Sequence, residues 1–205
     1  MRYPRIALAL ALVGMVAACQ AQDTDGTAAA TNQPADAAAD AGAGTPGTVE
    51  AKIAQAMSAA PDSIARAATI MDWPASEGAE ARELRAGTNG WVCYPSTPAP
   101  EGAVGQDPMC LDPVFQRWAG AWMGRTDPNI KSVGFGYMMQ GDRGASNTDP
   151  FATDSTSTNN WVRVGAHLMI VAPAATLASV PATPGATPWV MWKGTPYAHV
   201  MVPVQ

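Results

Sequence analysis

The chain has 205 residues, 47% of them hydrophobic and only 14% charged, with 19 Gly and 18 Pro. That is apolar material for one folded body with tails, connected by many turns. With 12 Lys and Arg against 17 Asp and Glu, the formal net charge is −5, and no basic stripe exists to neutralise a nucleic-acid backbone. No apolar run approaches the roughly 20 residues of a membrane-crossing helix, so the mature chain is not expected to cross a bilayer.

Residues 1–18 read as a secretory signal: Arg2 and Arg5 precede an apolar run from Ile6 to Val16. The run ends in Val16-Ala17-Ala18-Cys19, which resembles the lipobox of bacterial lipoproteins. The resemblance implies a lipid on Cys19, and Gln20 in place of Asp implies sorting to the outer membrane. Cleavage of an ordinary signal peptide near Ala18 or Ala21 is the alternative. Loss of Arg2 and Arg5 with the signal takes the net charge to −7, so attraction to anionic lipid is not the expected mode of action. Residues 20–48 contain nothing aliphatic or aromatic larger than Ala. Such a stretch buries too little to offset its chain entropy, and residues 19–48 are expected to form a lipidated, disordered tether with a reach of about 30 Å.

The globular body is expected over residues 49–205. Ile53, Met57, Ala60 and Ile64 recur at helical spacing, and Pro61 divides them into two short helices. The polar stretch 75–88 reads as loop or as a short helix around Glu80–Arg85. Trp91–Tyr94 reads as a short strand, followed by a Pro/Gly loop from Pro95 to Pro108 and then Met109-Cys110-Leu111. In an exported chain Cys93 and Cys110 are expected to form a disulfide, since Cys19 is the lipidation site and two cysteines are too few for a metal centre. Asp112 followed by Pro113 marks a helix start, and Val114, Phe115, Trp118, Ala121 and Trp122 form one face of a helix to Gly124. Three apolar runs then read as strands: Ser132–Gln140, Trp161–Val171, and Trp189–Val204 interrupted at Gly194-Thr195-Pro196. With few crossover helices the fold is expected to be α+β: short N-terminal helices followed by a small, mainly antiparallel sheet with long Pro/Gly-rich loops.

Among motifs of high specificity there is no G-x-S-x-G, H-E-x-x-H, Walker A loop or C-x-x-C. What remains is a coincidence. Both histidines stand in His-x-Met, as His167-Leu168-Met169 and His199-Val200-Met201. On a strand, positions i and i+2 share a face, and imidazole with thioether suits copper. His167, Met169, His199 and Met201 are therefore the candidate metal ligands, with Met138, Met139 and a nearby Trp as completion. The competing reading places these methionines in an ordinary sheet core with each His hydrogen-bonded at an edge.

The polar loop Gly141–Asn160 offers Asp142, Asn147, Asp149 and Asp154 as oxygen ligands for Ca²⁺, although their spacing is not that of an EF-hand. The same loop would cover a pocket with His167, His199 and Tyr197. There an Asp149–His pair with Ser146 or Thr148 would make a hydrolase-like site. Trp189 and Trp192 are candidate ligand-binding residues together with Asp149 and Tyr197. Because Trp189 and Trp192 alternate on a strand, one of them is expected to be exposed.

The runs Asn89-Gly90-Trp91-Val92-Cys93, Asp107-Pro108-Met109-Cys110-Leu111-Asp112, Ala145-Ser146-Asn147-Thr148-Asp149-Pro150 and Gly194-Thr195-Pro196-Tyr197-Ala198-His199 resemble a group of uncharacterised exported bacterial proteins over most of residues 50–205. The resemblance implies a single folded body and carries no activity, ligand or catalytic residue with it. The leading expectation is a cell-envelope lipoprotein whose body is a non-enzymatic binding or structural module. Its partners would be the membrane, through the lipid, and an unidentified small molecule or envelope component. No cofactor is firmly implied, copper being the candidate. A copper-binding protein and an Asp/His hydrolase are the alternatives.

Overall fold

Thr48 starts the first helix: its hydroxyl accepts the Ala51 N–H at 3.2 Å, and Glu50 sits in the first turn. The computed structural model describes residues 47–76, 78–99 and 103–204. The signal sequence, the lipobox with Cys19 and nearly all of the tether lie outside the described residues. Helix α1 (Val49–Met57) is followed across Pro61 by α2 (Asp62–Ala65). Then come β1 (Thr69–Met71), β2 (Glu83–Arg85), β3 (Val92–Tyr94), β4 (Met109–Leu111), α3 (Pro113–Met123) and β5 (Gly134–Met138). The C-terminal part holds β6 (Ala145–Ser146), β7 (Trp161–Val162), β8 (His167–Val171), a 3-10 turn at Ala174–Leu177, β9 (Trp189–Met191) and β10 (His199–Pro203).

Eight strands form one sheet in the order β2-β1-β3-β4-β5-β8-β10-β9, and β6 and β7 pair separately. All neighbours are antiparallel except β1 and β3. The architecture is α+β and rich in strands, with a sheet larger than the expected small one. The strands of this sheet beyond the expected ones are β1, β2 and β4. Glu83-Leu84-Arg85 carries no apolar pattern of its own. It is held in place because Arg85 donates to the carbonyls of Ala65 at 2.6 Å and Ala68 at 2.9 Å. The run 161–171 is not one strand. At Val164 the backbone turns to Asp142, whose carboxylate accepts the Val164 N–H at 2.9 Å and whose own N–H reaches the Val164 carbonyl at 3.0 Å.

The two sheet faces are packed by different elements. Ala56 of α1, Ala59 and Ala60 of the turn after it, and Ala68 before β1 cover Ile70, Cys93 and Cys110. Cys93 and Cys110 are register partners on β3 and β4 and are joined by a disulfide. Leu111, one position on, faces the opposite side and packs with Phe115 and Trp118 of α3. At the far end of the α1 side, Leu177 of the 3-10 turn closes over Val190 and Val200.

Candidate functional site

The face beneath α3 is set by strand register. Met138 of β5 pairs with His167 of β8, and Gly136 pairs with Met169. Met169 pairs in turn with Met201 of β10, and Met201 with Trp189 of β9. His199 pairs with Met191. Alternation therefore gathers Met138, His167, Met169, Met191, His199 and Met201 on one surface. α3 comes close because two positions of β5 carry no side chain. A Cβ on Gly134 would lie 2.6 Å from the Val114 Cβ, and one on Gly136 would lie 3.2 Å from Phe115 Cε2. Asp112 fixes the start of the helix against β5, accepting the N–H of Phe115 at 2.7 Å and that of Phe135 at 2.9 Å.

Trp118 and Trp122 extend from α3 over this surface, and Trp192 meets them from beyond β9. Ring centroids lie 5.9 Å apart for Trp118–Trp192, 6.1 Å for Trp118–Trp122 and 5.3 Å for Trp122–Trp192. Strand alternation does not separate Trp192 from Trp189. β9 ends at Met191, and Trp192 adopts a left-handed φ of 56° that swings its ring back. Both rings are buried, against the expectation that one would be exposed. Their indole N–H groups are held by the polar loop, Trp189 by Asn147 Oδ1 at 3.1 Å and Trp192 by the Ser146 carbonyl at 2.6 Å.

Between α3, the sheet and the loop 141–152 lies a groove of about 650 Å³. Its walls are largely aromatic and thioether: Phe115, Trp118, Trp122 and Trp192 with Met109, Met138, Met169, Met191 and Met201. Asp142, His167 and His199 are its ionisable groups on or near the sheet floor, and Arg143 and Asp149 stand in the loop wall. Trp118 Nε1 is buried and has no hydrogen-bond partner among the described residues.

Both imidazoles are fixed in the same way. Nδ1 of His167 lies 2.7 Å from the Gly165 carbonyl, and Nδ1 of His199 lies 3.0 Å from the Tyr197 carbonyl. A carbonyl only accepts, so each Nδ1 carries the proton and each Nε2 keeps its lone pair. Burial pushes both pKa values down, against the carbonyl bonds that favour the cation; for His199 the value falls to about 4. Each ring is thus neutral at neutral pH. Burial also raises the Asp142 carboxyl above its ordinary range, opposed by the N–H groups of Val164 and Gly144 and by His167 and Arg163.

The four residues of the His-x-Met pairs share one face, with Met169 opposite Met201 at the centre. The two histidines stand on either side of that pair, their backbone positions four register steps or about 13 Å apart along the strands, and the His167 charge still acts to lower the His199 pKa. His199 meets Trp192 and Trp118 edge-on at 4.9 and 5.0 Å and Phe115 at 6.5 Å. Among the described residues, no group of three or more His, Cys, Asp and Glu is placed to hold a metal ion.

Asp149 lines the groove, but its carboxylate accepts the Phe151 N–H at 2.9 Å, and the Ser146 hydroxyl is spent on the Asn159 carbonyl at 2.6 Å. Tyr197 is buried edge-on against Phe151, outside the groove lining. The carboxylate whose charge interacts with His167 is Asp142, which the sequence reading considered only for Ca²⁺. Met109 and Met191 were not singled out at all. Their place on the face follows from register, and the sequence carries no register signal beyond the alternation itself.

No family model, curated protein or solved structure matches this chain.

Proposed function

We propose that the protein is a binding module of the cell envelope, lipid-anchored through Cys19, whose groove takes one small apolar molecule with a flat face. The observation that carries this reading is the groove itself: about 650 Å³ walled largely by stacked indoles and methionines. Sites for small molecules have this size and character. Stacking against Trp122 and Trp192 would hold the flat face. The unpartnered Trp118 N–H would orient the ligand by donating to one acceptor atom on it. The signal-like N-terminus and the Cys93–Cys110 bridge support the assignment to an exported, oxidising compartment.

The test is titration of the purified protein with the neutral dye N-phenylnaphthylamine, read by dye emission and tryptophan quenching. The expected result is saturable one-to-one binding, weakened about tenfold in Trp122→Ala, equivalent to about 1.4 kcal/mol. A dye that does not saturate, or that binds the variant as tightly while near-UV circular dichroism shows both proteins folded, overturns the reading. The mass of the exported N-terminal peptide reads the Cys19 lipid separately, and an unmodified Cys19 removes the anchor from the proposal.

A further inference from the structure

His167 has a property that an apolar ligand does not use. It is fully buried, its proton is committed to the Gly165 carbonyl, and its Nε2 has no hydrogen-bond partner among the described residues. A buried acceptor left in this state is costly, so what stands around it matters. On the same face its cross-strand neighbour is Met138, and its neighbour two positions along the strand is Met169; both are buried. Directly opposed Cβ atoms in an antiparallel pair lie about 5 Å apart, within reach of a thioether and an imidazole that share one ion.

We propose that His167 Nε2 and the thioether sulfurs of Met138 and Met169 bind one Cu(I) ion on the floor of the groove. Three reasons favour this ion. The donors are soft and borderline, a set that selects Cu(I) over the hard cations. All three donors are neutral, so a monovalent ion adds one positive charge, and Asp142, which lines the same groove, offers a carboxylate to balance it; a divalent ion would leave a buried excess. The Nδ1–H bond to a backbone carbonyl is also the arrangement that orients a metal-ligating imidazole and raises its basicity. The groove reaching His167 supplies the entry path.

His199 repeats the local pattern, with Met191 opposite and Met201 two positions on, but its ring is packed edge-on among Phe115, Trp118 and Trp192. The ion is therefore assigned to the His167 end. The inference does not rest on the apolar-ligand reading, since Trp122 contributes nothing to the ion.

The test is anaerobic competition for Cu(I) against bathocuproine disulfonate, using the full chain with its disulfide intact. Cys19→Ser is present in every sample so that no free thiol competes. One equivalent of Cu(I) is expected to be retained, with affinity reduced at least about a hundredfold in Met138→Leu/Met169→Leu, a swap that conserves volume and apolar character. His199→Phe and Trp122→Ala are expected to bind Cu(I) as the reference does. His167→Gln provides a second variant should the double leucine chain fail to fold, and near-UV circular dichroism reports folding in each case. The site is overturned by a reference protein that surrenders all its copper. It is equally overturned by a folded leucine pair that retains copper, or by a loss larger in His199→Phe than in the leucine pair. Dye binding without copper binding refutes this site and leaves the groove reading standing; copper binding without dye binding does the reverse.

Discussion

The two ends of the sheet are built from opposite materials. Under α1 the core is alanines, one isoleucine and a disulfide: Ala56, Ala59, Ala60 and Ala68 close on Ile70, Cys93 and Cys110, and several of these are wholly excluded from solvent. Under α3 the core is methionine, tryptophan and histidine, and it leaves a groove. Small side chains let backbones approach closely, and there α1 sits directly on the disulfide and Ile70. Methionine and tryptophan are large, polarizable and tipped with weak polar atoms, and their packing leaves room that chemistry can use. The difference teaches that the covalent staple and the candidate site share one sheet but not one core.

The comparison predicts where each end is vulnerable. The largest effect belongs to the alanine end. Cys93→Ala/Cys110→Ala is expected to lower stability by about 4 kcal/mol, roughly 3 from releasing the loop in the unfolded chain and the rest from the space two buried sulfurs leave. Urea unfolding measures this. If dye binding survives in the folded fraction of that variant, the two cores are independent; if it disappears, they are one.

The next effect belongs to the groove end, because both histidines of the chain lie there. The unfolded chain protonates His199 near its ordinary pKa of about 6.5, whereas burial delays this to about 4 in the folded protein. Between those values the unfolded state holds more protons, so stability is complete above about pH 6.5 and falls as pH drops toward 4. The loss amounts to about 3 kcal/mol. His167, shifted in the same direction by burial, adds to the slope, while the raised Asp142 carboxyl opposes it at the acid end. At the other end Asp72 is raised by burial but lowered further by Lys52, whose ammonium lies 2.7 Å away, so its contribution is lost only below the ordinary carboxylate range. Urea midpoints taken from pH 7.5 to 4 in the reference and in His199→Phe would show the slope flattened in the variant. An unchanged slope would remove His199 as its source.

The smallest effect concerns the tie between the polar loop and the groove. Asn147 accepts from Trp189 at 3.1 Å and donates to the Ala182 carbonyl at 3.0 Å. Asn147→Ala leaves the buried Trp189 N–H and the half-buried Ala182 carbonyl unpaired and is expected to cost about 2 kcal/mol. Thermal unfolding reads the cost, and the Trp189 emission should change in the folded variant. A variant as stable as the reference would mean that the loop covers the sheet without anchoring it.

Much of the local structure was legible. Asp112-Pro113 announced α3, Pro61 divided α1 from α2, and Gly194-Thr195-Pro196 marked the break between β9 and β10. These are signals of capping and of missing N–H groups, carried by one or two residues each. The strands β1 and β2 were not legible, since Glu83-Leu84-Arg85 becomes a strand only through its neighbours and through Arg85 reaching two carbonyls. The expectation that one of Trp189 and Trp192 is exposed fails for a related reason: a left-handed residue after a strand is placed by what its ring can reach, here Ser146 and two other indoles.

A methionine on each histidine's own face, the gathered aromatic residues of α3, and Cys93 and Cys110 as the two cysteines of the body are all legible in the chain. Local geometry decides these things, because period and spacing act within a few residues. Which residue faces which across strands is settled by the fold. Register put Met138 beside His167, set the two histidines on either side of the Met169–Met201 pair, and brought Asp142 rather than Asp149 to His167. Strand pairing joins positions that are far apart in the chain, and a shift of one residue would turn every one of these side chains to the other face of the sheet.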